Sequence, residues 1–337
     1  MISSIRSKNS EFNLHTECLR LTNDVTCRTA LGRRYYGGEK DDRERILHEQ
    51  QALIMGFFFA DYVPFLGWLD KFTGMRGRLE RNFEELDRFY QKVVDEHKER
   101  ERREDERDED IVDFMLDLQK EGMGLSDDNI KGVLMDIFFA GTDAATVTLE
   151  WAMTELMRHP EVLKRAQAEV RDLVGDKGKV EETDLHQFHY LKLVVKETLR
   201  IHPPGTLLLP REITQQCKIN GYDIPANSRL FVNAWTIGRD AGVWENPEVF
   251  RPERFVDSPI DFKGHHFELI PFGAGRRICP GMEIGLLVVE LALANLLYVF
   301  DWELPDGMVK EDLNMDEAPG VDVAKKAPLF LVARKVY

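Results

Sequence analysis

A surplus of positive charge is what this sequence most plainly lacks: among 337 residues, 60 Asp and Glu stand against 45 Lys and Arg, a net charge of −15 with histidine neutral. No stretch rich in Lys and Arg is free of interleaved acids, so the basic face that neutralises phosphates is missing, which argues against a nucleic-acid partner. Cysteine is scarce as well. Cys18, Cys27, Cys217 and Cys279 are too few and too scattered for a zinc pattern or a secreted disulfide framework, and a reducing compartment follows. The opening segment, MISSIRSKNSEFNLHTE, has no apolar core of a signal peptide and no spanning stretch. The two most membrane-like segments are Ala52 to Ala60, which is too short, and Met282 to Phe300, which carries Glu283 and Glu290. Both read as buried core helices, and no internal repeat is visible.

What is present is a core-forming composition, 43% hydrophobic and 10% aromatic with 31% charged. That excludes a disordered, collagenous or disulfide-scaffold chain, and the length suits one large domain or about two smaller ones. Helical periodicity runs through Leu47 to Phe59, Leu79 to Lys98, Ser126 to His159, Glu161 to Val174 and Leu185 to Ile201. The third of these, opened by a capping cluster SDDN and closed before Pro160, is more than twice the usual helix length, so it is expected to cross the whole domain. The charge run from Lys98 to Asp110 alternates in sign and reads as a solvated helix end or loop. Strand patterns gather late: Cys217 to Ile219 and Tyr222 to Ile224 around an Asn220-Gly221 turn, Arg229 to Asn233, and Pro328 to Val336. The fold class expected is mainly α with small β-sheets.

The sharpest local signal is PFGAGRRICPGM, Pro271 to Met282, which places Phe272, Gly273, Gly275, Arg277 and Gly281 around Cys279 and leads straight into an apolar helix. Such a setting suits a thiolate ligand. Glycines allow positive φ and turn N–H groups toward the sulfur, while the helix N-terminus and Arg276 or Arg277 favour the anion. The other three cysteines read as small buried hydrophobes.

This loop resembles the haem-binding signature of the cytochrome P450 superfamily of haem-thiolate monooxygenases. Further segments agree in order: ETLR at Glu197 to Arg200 matches the E-x-x-R helix, FRPERF at Phe250 to Phe255 the PERF segment, and AGTD at Ala140 to Asp143 the oxygen-binding motif of the long central helix. The wording LTNDVTCRTALGRRY, EWAMTELMRHP and ETLRIHPP is similar to the plant microsomal branch of specialised metabolism. The resemblance covers essentially the whole chain and implies one haem-thiolate domain over residues 1–337, a cytochrome P450 fold lacking its N-terminal part: anchor, hinge, first sheet and one haem-covering helix.

Several roles follow from the resemblance. Cys279 is the implied axial ligand of the iron in haem b, and Arg211 with Arg277 look like the propionate contacts, for which the guanidinium fork is suited. Glu197, Arg200 and Arg254 look like the structural triad that braces the cysteine loop. On spacing alone, Glu197 and Arg200 are i, i+3 partners for which a solvated surface pair is the plain alternative. In the central helix, Gly141 leaves room for dioxygen and Asp143 relays protons, against the alternative of a helix-packing glycine and a partly exposed acid. The position after Asp143 departs from the family pattern, since Ala144 stands where a proton-delivering Thr is usual and neither Thr142, Thr146 nor Thr148 obviously replaces it. Ala140, Ala144, Thr206, Leu207 and Leu208 are candidate pocket residues, while His186, His189 and His202 have no ligand spacing and read as structural.

The activity implied is insertion of one oxygen atom from O2 into a small, largely apolar plant metabolite. The electrons come by resemblance from an NADPH-cytochrome P450 reductase, because the chain has no dinucleotide or flavin fingerprint of its own. Full-length relatives imply attachment to the endoplasmic reticulum membrane on its cytosolic face. Ala144 keeps a second reading open, a haem-thiolate isomerase or dehydratase working without a reductase; a third is a non-catalytic fragment unable to hold haem.

Overall fold

Apolar residues three and four apart build most of the elements, and β-pairing enters only where short strands meet near the chain ends and in two hairpin-like pairs. The structure is a computed structural model that describes residues 1–8, 10–33, 42–54, 56–100 and 109–336. In chain order it runs α1 (Ile2–Arg6), β1 (Phe12–Asn13), α2 (Leu14–Leu31), α3 (Asp42–Ile54), α4 (Phe59–Tyr62), α5 (Leu69–Phe72), α6 (Met75–Glu99), α7 (Ile111–Lys120), α8 (Asp127–Arg158), α9 (Pro160–Val174) and α10 (Tyr190–Ile201). There follow β2 (Arg211–Glu212), β3 (Cys217–Ile219), β4 (Tyr222–Ile224), β5 (Arg229–Leu230), α11 (Ala234–Ile237), α12 (Met282–Val299), β6 (Phe300–Glu303) and β7 (Phe330–Lys335). All pairing between these strands is antiparallel: β1-β7-β6 form one sheet, β2 pairs with β5, and β3 with β4. The expected class, mainly helical with small sheets, is the one observed.

The chain divides into two compact units, residues 20–143 and residues 1–19 with 144–337, and α8 runs unbroken through the division. In the first unit α6 turns Leu86, Tyr90, Val93 and Val94 inward against Val112, Met115 and Leu116 of α7 and Ile130, Leu134 and Phe138 of α8. Asp110 caps α7 by accepting from Asp113 N at 3.0 Å, and its other oxygen meets His97 Nε2 at 3.0 Å. His97 Nδ1 reaches Val93 O at 2.7 Å, and the Asp110 carboxylate raises the imidazole above its ordinary pKa. His97, Asp110 and Asp113 have donor atoms within 4.8 Å of one another, as a cation site would. One ring nitrogen is bonded back into α6 at Val93 O and the other ties α6 to the cap of α7, so the group is accounted for as a helix junction.

In the second unit α9, α10 and α12 pack together and carry the segments described below. α8 and α12 are long and apolar enough to cross a membrane by length and composition. α12 nonetheless buries Val289, Ala292, Leu293, Leu296 and Leu297 within its own unit, as a core helix does.

Several boundaries differ from the sequence expectation, each for a local reason. α10 begins at Tyr190, not Leu185, because Glu169 of α9 accepts the N–H groups of His189, Tyr190 and Leu191 at 2.9, 2.7 and 2.8 Å and so fixes the start of the helix. The strand expected over Arg229 to Asn233 stops at Leu230, since the Asn233 side chain caps α11 by accepting from Thr236 N at 3.0 Å. α3 ends at Ile54 and a separate turn of helix starts at Phe59, where Asp70 accepts from Phe59 N and Ala60 N. Of the charged run, residues 101–108 lie outside the described residues; before them α6 ends at Glu99 and Lys98 pairs with Asp127 at 2.7 Å.

Asp110 serves as both cap and imidazole partner. Asp110→Ala is therefore expected to lower stability by about 1–3 kcal/mol, read as a shift of the urea midpoint, and Asp110→Asn, which keeps the cap acceptor, by clearly less.

Candidate active site

The segment between the short strands and α12 forms a loop whose geometry depends on two glycines. Gly273 and Gly275 have φ of 73° and 68°, a backbone region that disfavours side chains, and a single turn of 3-10 helix, Gly275–Arg277, follows. Cys279 N donates to Phe272 O at 2.9 Å, closing the loop, and the Phe272 ring packs edge-on to Phe262 with centroids 5.6 Å apart. Gly281 is the N-cap of α12, and a Cβ on it would come to 3.9 Å from Cys279 Sγ. The thiol is half-buried. Burial pushes its pKa up, a hydrogen bond from the Gly281 backbone pulls it down, and the negative charge of Asp322 raises it further. Neither Arg276 nor Arg277 is among the groups that act on it, so the expected arginine support for the anion is not seen. Of the remaining cysteines, Cys18 and Cys27 are buried as expected, whereas Cys217 is only half-buried on β3.

Arg211 and Arg277 are brought together: Arg211 Nη2 donates to Arg277 O at 3.3 Å, and that guanidinium and Leu208 both lie against Gly273. Leu208 takes a φ of 50° within the turn that its N–H closes onto Gly205 O. Leu207 and Leu209 are exposed. A half-buried thiol on a glycine loop, with Leu208 and the Arg211 guanidinium against the same loop, fits a flat apolar macrocycle that would be held by the sulfur and would carry carboxylates at its edge.

Glu197 on α10 is fully buried, with no surface pair about it. Its Oε2 accepts from Arg200 Nε at 2.8 Å, while Oε1 accepts from Arg200 Nη2 at 2.9 Å, Arg254 Nε at 2.8 Å and Arg251 N at 2.8 Å. Arg200 spends Nη1 on Gly238 O at 2.5 Å, and Arg254 reaches the carbonyls of Glu245 and Val249 at 2.9 Å each. A side chain at Gly238 would collide with the Arg200 carbonyl.

On α8, Ala140 and Gly141 are exposed and Asp143 and Ala144 half-buried. The hydroxyl of Thr26 lies 3.2 Å from where a Gly141 Cβ would be, a helix-packing contact with α2 that itself explains a glycine there. Gln51 Nε2 donates to Asp143 Oδ2. Thr148 Oγ1 donates to Ala144 O at 2.8 Å, so that hydroxyl is bonded back into its own helix. Thr26, Gln51 and Asp322 carry no sequence motif and could not have been singled out from spacing.

The description "Cytochrome P450" belongs to the family model that matches residues 1–332. The chain is a member of the cytochrome P450 family. Among similar curated proteins are cytochrome P450 71A9 of Glycine max, 52% identical over 99% of this chain and 68% of that protein, and cytochrome P450 71A1 of Persea americana, 50% identical with the same coverage. Strychnine-11-hydroxylase of Strychnos nux-vomica is 48% identical over 99% of this chain and 67% of that protein. A zebra fish cytochrome P450 structure with abiraterone superposes with a TM-score of 0.82 at 24% identity, covering all of this chain and 75% of that one, which speaks for the fold. This cytochrome P450 is an oxidoreductase of the monooxygenase type, and its family implies haem as cofactor.

Breaking the Glu197 group removes a buried anion from two guanidiniums, a loss typically worth about 3–5 kcal/mol. Glu197→Ala is expected to shift the thermal midpoint strongly downward or to leave the protein insoluble, whereas Lys310→Ala on the exposed surface leaves the midpoint in place.

Proposed function

We propose that this cytochrome P450 binds haem b through Cys279 and inserts one atom of O2 into a small, largely apolar plant metabolite, with electrons delivered by an NADPH-cytochrome P450 reductase at the endoplasmic reticulum membrane. The observation that carries the reading is the Cys279 loop: a half-buried thiol at the N-terminus of α12, hydrogen-bonded by the Gly281 backbone and enclosed by glycines at positive φ. When bound, the haem would supply oxygen activation, with Cys279 as the thiolate that would hold its iron.

The residues of the chain do the remaining work. The loop raises the pKa of its thiol, so the anion that serves as ligand is stabilised by the cation it binds rather than by the protein alone. Arg211 and Arg277 are set to take carboxylates at the edge of the group, one guanidinium already oriented by the backbone of the other. The candidate pocket residues Ala140, Ala144, Leu207 and Leu208 are apolar and Thr206 adds a single hydroxyl, a composition that suits a largely apolar ligand. Asp143, whose carboxylate accepts from Gln51, is the acid assigned to move protons on this reading. With Ala144 lacking a hydroxyl and Thr148 committed to its own helix, water or a hydroxyl of the substrate completes that path. Glu197, Arg200 and Arg254 act by bracing the loop and take no part in the chemistry.

The test is the spectrum of the reduced protein under carbon monoxide. Cys279→Ala is expected to abolish the thiolate-type band and Cys217→Ala to leave it; a band that survives the first change and disappears with the second would refute the assignment. Product formation that needs NADPH, reductase and oxygen supports the monooxygenase reading, and turnover of a hydroperoxide without any of the three would replace it with rearrangement chemistry.

A further inference from the structure

Within the unit that holds Cys279, a buried polar junction plays no part in the roles above. Trp151 and Glu155 lie one turn apart on α8 and both are buried. Glu155 Oε1 accepts from His202 Nε2 at 2.7 Å, and the imidazole lies flat on the Trp151 indole, with centroids 3.9 Å apart and planes 3° from parallel. The same indole donates from Nε1 to Val323 O at 3.1 Å and carries Lys325 Nζ 4.6 Å from its ring centroid. Val323 N in turn donates to Pro204 O at 2.9 Å. Two neighbouring side chains of one helix thus grip two segments of chain, the one that leaves His202 and the reversal between Glu317 and Lys325, and these segments are bonded to each other.

Both segments lie near the cysteine loop. The first brings Leu208 against Gly273, and the second carries Asp322, whose charge reaches the Cys279 thiol. Burial pushes His202 below its ordinary pKa, which leaves a neutral ring with its proton on Nε2 toward Glu155. Burial raises Glu155 too, but hydrogen bonds from His159 and His202 outweigh it and hold the carboxyl at about 2. A buried carboxylate paired in this way is a poor source of net stability compared with an apolar contact, but it fixes direction, since it fits one ring orientation only. Nδ1 of the imidazole faces Glu317 Oε1 at 4.0 Å, and Glu317 also accepts from Trp235 Nε1, while Trp235 N holds Thr206 O at 3.1 Å.

We infer that Trp151, Glu155 and His202 are positioning residues that set the separation of the two segments beside Cys279 and thereby the bulk of ligand admitted. The inference rests on the reading of Cys279 as the haem site. It is tested by spectroscopic titration of the haem-loaded chain with imidazole and with 4-phenylimidazole, azoles that share a donor nitrogen and differ in bulk. Trp151→Phe keeps a ring and deletes the N–H to Val323; His202→Phe keeps the stack and deletes the N–H to Glu155. Each is expected to change the Kd of 4-phenylimidazole by about tenfold and that of imidazole by less than about twofold, the scale of one lost hydrogen bond. Equal changes for both azoles, or none, would overturn the inference, because a merely structural defect moves both alike. Should His202→Phe not fold, Trp151→Phe alone decides. Should the chain hold no haem, the Cys279 reading fails by itself. Alkylation of Cys279 by N-ethylmaleimide, followed by peptide mass spectrometry, then decides: a rate about tenfold above wild type in Trp151→Phe supports the junction, and an unchanged rate overturns it.

Discussion

The carboxylate of Glu197 is the constraint from which the cysteine-bearing unit is organised. Taking that charge out of water is costly, and it is tolerated because four donors converge on its two oxygens. Two of the donors belong to Arg200 on the same helix and two to residues more than fifty positions on, so satisfying one buried anion fixes α10 against the 238–255 segment. The second guanidinium would leave an excess positive charge, and it is absorbed by backbone carbonyls of Gly238, Glu245 and Val249. Trp244, Phe255 and Leu269 then pack as a small core directly beyond this knot, and the chain passes from there into the cysteine loop. A backbone pinned by charge at one end and by a packed cluster at the other can hold a glycine-rich loop that would otherwise sample many shapes.

That loop does not by itself favour a free thiolate. Desolvation and the nearby Asp322 favour the neutral thiol, and one backbone N–H at a helix start opposes them without prevailing. The exposed guanidiniums of the loop lie in solvent, where screening weakens any effect on the sulfur. On the proposed reading, such a thiol would form its anion with the help of the metal centre's charge.

What could be read from the sequence was what chemistry leaves in local order. PFGAGRRICPGM, the E-x-x-R spacing and the helical periods sit within short windows, and the structure has the loop, the buried pair and the long helix at those residues. Contacts between distant residues were not legible. Glu169 ends the expected run of α10 from twenty positions away, and Thr26 meets Gly141 from more than a hundred. Arg254 could be joined to Glu197 only through the family resemblance, since nothing within its own segment marks it. The glycine at 141 shows the same limit, because an absent side chain states that something is close without stating what. His202 had no partner at ligand spacing, and its stack and carboxylate both come from a helix some fifty residues earlier.

α8 is the element on which these separate requirements meet. At 1.5 Å per residue its 32 residues extend for about 48 Å, long enough to serve the α6–α7 core at one end and the Trp151 junction at the other. Between them it presents small residues, Ala140, Gly141 and Ala144, followed by hydroxyls that are buried or turned back onto the helix. On the proposed reading proton supply falls to Asp143 and to whatever donor the ligand brings, because the Thr148 hydroxyl is bonded back into the helix. The Gln51 amide restrains that carboxylate, and releasing it requires α3 to give up a hydrogen bond within its own unit. On the proposed reading, tying this acid to a partner on a different helix makes its proton transfer depend on how α3 is seated within the same unit.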